Sequence, residues 1–233
     1  RLGQPYSLSF TTGPLSPEFS LAMLDRIGVY NAYTETVIVA SHVNVSQATL
    51  SLYELSRDDL VRLSDDWQAW NKYQPSARSQ LRRWSVPLQG ALNERRQTRI
   101  EVGAAEGESL APGLYYLQIS VPGIEQPTRH MMVVTRTNLV LKHGQTEALL
   151  WASDLRTAKP LSNLQVEVLL QGEGTLQGRT DSQGVLRVAL PEHDLWQPLY
   201  AFVWRGDELS VVVSQWDNGI QPWQFELPVN YYS

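Results

Sequence analysis

The chain has 233 residues, 42% of them hydrophobic and 18% charged, which is enough for one large core or two ordinary ones and too apolar for a disordered chain. Its 15 glycines and 13 prolines are an ordinary share, so collagen-like and low-complexity classes are excluded. A net charge of −5 argues against duplex nucleic acid as a partner, and with no cysteine these residues hold no disulfide, thiolate metal site, cysteine nucleophile or thioester.

Read in chain order, residues 1–30 fit no sandwich comfortably. Residues 6–12 alternate like a strand that ends at Gly13-Pro14, and they read as the last strand of a preceding Ig-like domain plus a linker. The chain opens on Arg1 without a leader, so an internal fragment of a longer protein is expected. Residues 36–43 and 48–55 alternate with period two, as half-buried strands do.

The pattern then changes. Ser56 with Asp59 three residues on fits a helix start. Leu60, Leu63, Trp67 and Trp70 follow on one helical face until Pro75, which predicts a short helix or two turns packed on a sheet. Residues 78–99 carry Arg78, Arg82, Arg83, Arg95, Arg96 and Arg99 against Glu94 alone. This local +5 reads either as an exposed strand pair or as a docking surface for an acidic partner.

Residues 114–121 place Tyr115, Leu117, Ile119 and Val121 on one face, and 130–134 form a continuous apolar run that closes a first unit. A boundary is expected at residues 135–138. Further strands are predicted at 138–142, 147–153, 164–170, 185–190, 199–204 and 209–213, with turns at Pro112-Gly113, Pro122-Gly123, His143-Gly144 and Asp181 to Gly184. The expected class is all-β: two immunoglobulin-like sandwiches at 31–135 and 136–233, with a short helical insertion in the first and an extension at 1–30. No run of about 18 apolar residues suits a membrane-crossing helix.

Enzyme motifs are missing, and no catalytic, cofactor-binding or metal residue is assigned; the chain reads as non-enzymatic. His42, His130, His143 and His193 sit apart in sequence without ligand spacing, which speaks against a histidine metal site. Arg205-Gly206-Asp207 matches an adhesion tripeptide, but a tight hairpin accounts for it. Asn44-Val45-Ser46 matches a glycosylation sequon. The tryptophans Trp67, Trp70, Trp84, Trp151, Trp196, Trp204, Trp216 and Trp223 are dispersed rather than gathered into a sugar platform. Trp151 and Trp204 are expected in sandwich cores, and Trp196, Trp216 and Trp223 near exposed turns.

Two stretches resemble a known family. The run Ala152-Ser153-Asp154-Leu155-Arg156-Thr157-Ala158-Lys159-Pro160, followed by Leu164-Gln165-Val166-Glu167-Val168 and Thr180-Asp181-Ser182-Gln183-Gly184, resembles bacterial immunoglobulin-like modules. Val43-Asn44-Val45-Ser46 with Leu52-Tyr53-Glu54-Leu55, then Pro112-Gly113-Leu114-Tyr115 and Thr137-Asn138-Leu139-Val140, resembles macroglobulin domains of bacterial alpha-2-macroglobulins; Val43 departs from an expected arginine. The resemblance implies macroglobulin-like sandwiches in a large protease trap, periplasmic, membrane-anchored or extracellular, whose cleaved bait triggers enclosure of the protease. It implies target proteases as partners of the full-length protein, neighbouring macroglobulin domains as contacts, and a peptidoglycan-synthesis partner. No cofactor is implied; bait and thioester lie elsewhere, and the sandwiches would pivot at linkers such as 135–138. Other readings are an Ig-like repeat of a surface adhesin and a carbohydrate-binding accessory module.

Overall fold

The computed structural model describes residues 7–9, 13–22, 26–194 and 196–214. The first half carries β1 (Glu18–Leu21), β2 (Ile27–Asn31), β3 (Val37–Val43), β4 (Gln47–Glu54), α1 (Arg57–Asp65), α2 (Trp67–Lys72), β5 (Gln80–Pro87), β6 (Arg96–Glu101), β7 (Gly113–Ser120) and β8 (Thr128–Thr135). A three-stranded sheet in the order β1-β3-β6 faces a five-stranded sheet in the order β2-β8-β7-β4-β5. All pairings are antiparallel except β2 on β8. Ile38, Ala40, Leu50, Leu52, Ile100, Leu117, Ile119, Met132 and Val134 interdigitate between the two sheets.

The second half carries β9 (Thr137–His143), β10 (Glu147–Asp154), β11 (Gln165–Leu170), β12 (Gly174–Arg179), β13 (Val185–Ala189), β14 (Leu199–Arg205) and β15 (Glu208–Val213). Sheet β13-β10-β9 faces sheet β12-β11-β14-β15, the strand count of an immunoglobulin sandwich. Its core holds Leu141, Leu150, Val166, Val168, Leu170, Leu199, Ala201 and Val203. The turn before β13 follows the predicted chemistry. Asp181 Oδ1 accepts from Gln183 N at 2.8 Å and Val185 N at 2.9 Å. Gly184 takes φ +73°, where an added Cβ would lie 2.4 Å from the Ala152 carbonyl oxygen.

Several expectations change. Strands β1 and β2 lie within the predicted 1–30 extension, yet they pair with β3 and β8, so 18–30 join the first sandwich. Residues 7–9 carry no strand, and the rest of the predicted 6–12 run lies outside the described residues. The helical insertion forms with Ser56 Oγ accepting from Asp59 N at 3.0 Å. It breaks at Asp66, which ends α1 and caps α2 by accepting from Gln68 N at 2.7 Å and Ala69 N at 3.0 Å. The break resets the helical phase, so Leu60, Leu63 and Trp70 are buried while Trp67 is 59% exposed.

Trp151 is a correction too. Ala148, Leu150 and Ala152 point inward, and Trp151 stands on the outer face of β10 opposite Val140 and Val185. Apolar residues on both faces of that strand left its phase ambiguous. Trp196 is exposed as expected, whereas Trp216 and Trp223 lie outside the described residues.

The basic stretch is not one strand pair. Strand β5 edges the five-stranded sheet and β6 edges the three-stranded one. Arg95 pairs with Glu18, Arg96 with Glu94, and Arg99 with Glu35 and Glu101. Arg82 turns inward, stacks 4.3 Å from the Trp84 ring centroid and donates to the Gly103 carbonyl. Arg83 points to solvent. The Asn44 amide donates to Leu15 O at 2.8 Å and Asn93 Oδ1 at 3.0 Å, binding the β3–β4 turn to two other loops.

Arg82→Ala leaves the buried Gly103 carbonyl without its guanidinium donor and should cost about 1–2 kcal/mol in urea unfolding. Arg83→Ala should change stability by less than about 0.5 kcal/mol; equal losses from the two variants would refute this assignment.

His130 of β8 is buried, with Nε2 2.8 Å from the hydroxyl of Tyr30 on the neighbouring β2. Burial pushes its pKa from 6.5 down to about 4. As pH falls the unfolded chain takes the proton first. Stability is therefore full above pH 6.5 and declines between pH 6.5 and 4, by up to roughly 3 kcal/mol. His42 and His143, also lowered chiefly by burial, add with the same sign. Urea midpoints measured from pH 7.5 to 4.5 should fall steadily, and a flat series would contradict the buried neutral imidazole.

Candidate functional site at the seam between the sandwiches

The four imidazoles do not build a catalytic centre. His42 Nε2 lies 2.9 Å from Thr98 Oγ1, His130 meets Tyr30, and His143 and His193 meet each other. Among the described residues no imidazole pairs with a carboxylate, and no group of three or more metal-ligating side chains assembles. The adhesion tripeptide is not presented either. Gly206 takes φ +63° in the β14–β15 hairpin, and Arg205 Nη1 donates to Asp154 Oδ2 at 2.7 Å.

The most elaborate arrangement lies where the two sandwiches meet. Strands β7 and β8 are buried on both faces. Tyr115, Leu117, Met132 and Val134 fill the first core, and Leu114, Tyr116, Met131 and Val133 project from the opposite face. Strand β14 alternates likewise, sending Leu199, Ala201 and Val203 into the second core and Tyr200 and Phe202 outward. These outward sets join Val211 and Val213 of β15 and Leu60, Leu63 and Trp70 of the helices in a third hydrophobic core. Tyr116, Met131, Val133, Tyr200 and Phe202 each have 0% exposure. The insertion thus fills the space between a sheet and the neighbouring sandwich. Tyr116 meets Trp70 and Tyr73 edge-on, at centroid distances of 5.9 and 5.0 Å.

Polar contacts frame this apolar centre. At the helix side, Arg57 pairs with Glu167 of β11 at 2.5 Å, and its guanidinium lies 4.0 Å from the Phe202 ring centroid. The Tyr200 hydroxyl donates to Asp65 of α1. Burial raises the pKa of Asp65 and, with the Asp65 charge beside it, that of the Tyr200 hydroxyl.

At the opposite side Asp154, 5% exposed, gathers donors from both sandwiches. Its Oδ2 accepts from the Tyr33 hydroxyl and from Arg205 Nη1, each at 2.7 Å. Its Oδ1 accepts from Arg156 N at 3.0 Å, Thr157 N at 2.8 Å and Thr157 Oγ1 at 3.0 Å. The Tyr33 and Arg205 bonds hold its carboxyl far below the usual carboxylate range. Arg156 stacks 3.9 Å from the Tyr33 ring centroid.

The chain crosses between sandwiches without slack. Strand β8 ends at Thr135, β9 begins at Thr137, and Arg136 alone separates them. Glu208 Oε1 accepts from Arg136 N at 2.7 Å and Thr135 Oγ1 at 3.0 Å, and Thr135 Oγ1 lies 2.6 Å from Ser210 Oγ. Residues 135–138 therefore form a clamped crossing rather than the expected pivot. Sequence reading missed this seam. The available signals were the unbroken apolar run of β8 and the outward Leu114 and Tyr116 beside a face already assigned to a core.

Phe202→Ala should cost about 3–5 kcal/mol, the loss for a fully buried aromatic. Asp154→Ala should cost a similar amount by leaving Arg205 and Tyr33 unpaired. In urea, tryptophan fluorescence and circular dichroism should report one coincident transition for the wild type. Two separated transitions would show that the seam does not couple the sandwiches.

Residues 134–231 match the family model of the bacterial alpha-2-macroglobulin MG3 domain. The structure is similar to native alpha-2-macroglobulin from Escherichia coli spanning domains MG0-NIE-MG1, at 13% identity and a TM-score of 0.68, covering 87% of this chain and 66% of that one. An Escherichia coli fragment spanning NIE-MG1 aligns at 12% identity and a TM-score of 0.61, over 86% of this chain and 98% of that one. Salmonella alpha-2-macroglobulin reacted with methylamine aligns at 13% identity and a TM-score of 0.66, over 88% of this chain. The chain spans only 12% of that Salmonella protein. No curated protein matches the chain by sequence.

Proposed function

We propose that the chain, whose residues 134–231 match the family model of the bacterial alpha-2-macroglobulin MG3 domain, is a non-catalytic scaffold segment of a protease trap. Its role is to hold neighbouring macroglobulin domains at a set spacing and angle. The observation that carries this reading is the family match on a sandwich locked to its neighbour by a third hydrophobic core. Interfaces between domains of one chain are commonly small and movable; this one buries large aromatics completely and adds two satisfied carboxylates. Such a joint transmits displacement instead of absorbing it, so rearrangement after bait cleavage would take place at other junctions of the parent.

The further expectations follow from the same premise. Target proteases meet the full-length protein, neighbouring macroglobulin domains pack on the outer faces of these sheets, and the parent resides in the bacterial periplasm or outside the cell. Among the described residues no helix is long and apolar enough to cross a membrane. A peptidoglycan-synthesis partner belongs to the parent and is not assigned to any residue of this segment.

Full-length parent incubated with trypsin should block digestion of a large protein substrate while sparing hydrolysis of a small chromogenic one, because enclosure excludes only large molecules. Parent carrying Phe202→Ala, if folded, should block large-substrate digestion less completely. The isolated chain should leave both activities untouched. A parent that leaves protein digestion unimpaired, or an isolated chain that itself hydrolyses either substrate, would overturn the proposal.

A further inference from the structure

His143 and His193 are 50 residues apart, yet the fold brings their rings together. His143 ends β9, at the far end of that strand from the seam, and His193 lies in the loop between β13 and β14. Backbone bonds hold the two segments beside each other: Gly144 N donates to Glu147 O and Leu190 N to Thr146 O, both at 2.8 Å. The ring centroids are 5.5 Å apart with planes inclined by 25°, and His143 Nδ1 faces His193 Nε2 at 3.4 Å. That separation lies at the long end for a hydrogen bond between the two rings.

The same separation fits another role. Two nitrogens each about 2.0–2.1 Å from a tetrahedral Zn²⁺ lie roughly 3.4 Å apart. His193 Nδ1 is 3.0 Å from the Pro191 carbonyl oxygen. A carbonyl only accepts, so Nδ1 carries the proton and Nε2 keeps a lone pair directed at His143. Metal-ligating histidines usually donate their second nitrogen to a carbonyl in this way, which fixes ring and tautomer. His193 is 8% exposed and His143 half-buried, so one ring is held rigidly and the other is accessible to solvent.

We propose that His143 and His193 bind a divalent transition metal of the imidazole-preferring class, such as Zn²⁺ or Cu²⁺, with water completing the coordination. No third histidine, aspartate or glutamate joins them among the described residues, so the ion is held by two protein ligands and exchanges readily. Bound there, it would staple the β9–β10 hairpin to the β13–β14 loop, closing the tip of the second sandwich. The site is independent of the seam and of the scaffold role.

The tag-free chain, stripped with EDTA and titrated with ZnCl₂ at pH 7.5, should show a Tm that rises with Zn²⁺ concentration and returns on chelation. Long-range ¹H–¹⁵N spectra should show the His143 and His193 ring signals moving, while those of buried His42 and His130 stay in place. The double variant His143→Ala/His193→Ala should lose the Zn²⁺-dependent rise. Ring signals of His143 and His193 unmoved at millimolar Zn²⁺ would overturn the proposal. So would an equal Tm rise in the double variant, and the wild-type spectra decide the matter even if that variant fails to fold.

Discussion

The structure depends on a five-stranded sheet whose strands β7 and β8 must bury both of their faces. A sheet with one solvated face tolerates polar residues at every second position, but β7 and β8 have no such face. One side closes the first sandwich and the other supplies the floor of the seam. The requirement explains the continuous apolar run of β8, and it explains why a helical insertion sits after β4. Leu60, Leu63 and Trp70 pack into the core shared by that sheet and the second sandwich.

Buried charge at the seam follows from the same geometry. Packing two sandwiches face to face brings strand ends together, and their free backbone and polar groups need partners. Asp154 accepts from Tyr33 of the first sandwich and Arg205 of the second, and Glu208 accepts from Thr135 and Arg136 at the crossing. A buried carboxylate adds little net stability, but losing one of its partners is costly. Their contribution is to fix a single relative arrangement that the apolar surface alone would leave free to slide.

That arrangement has a mechanical meaning. A chain of several domains combines joints that yield with joints that do not. The crossing at Arg136, with no slack and two clamped neighbours, belongs to the second kind. The histidine pair lies at the other end of β9, where hairpin and loop meet without a hydrophobic core of their own, so a bound ion there would act locally.

Much of this was legible in the residues. Period-two alternation located most strands from β3 onward, though not β5, β6 or β12; Ser56 and Asp59 marked the helix start, and Asp181 to Gly184 marked the turn, because each depends on neighbours within a few positions. The macroglobulin resemblance, carried by motifs at 43–55, 112–115 and 137–140, was legible for the same reason, being made of short strand and turn motifs. Placement over longer range was not. The parallel pairing of β2 with β8, the inward turn of Arg82, the outward Trp151, the seam and the meeting of His143 with His193 join residues 20 to more than 100 positions apart. Local pattern says that a side chain needs burial or a partner, while only the packing of whole sheets decides which face is covered and which partner arrives.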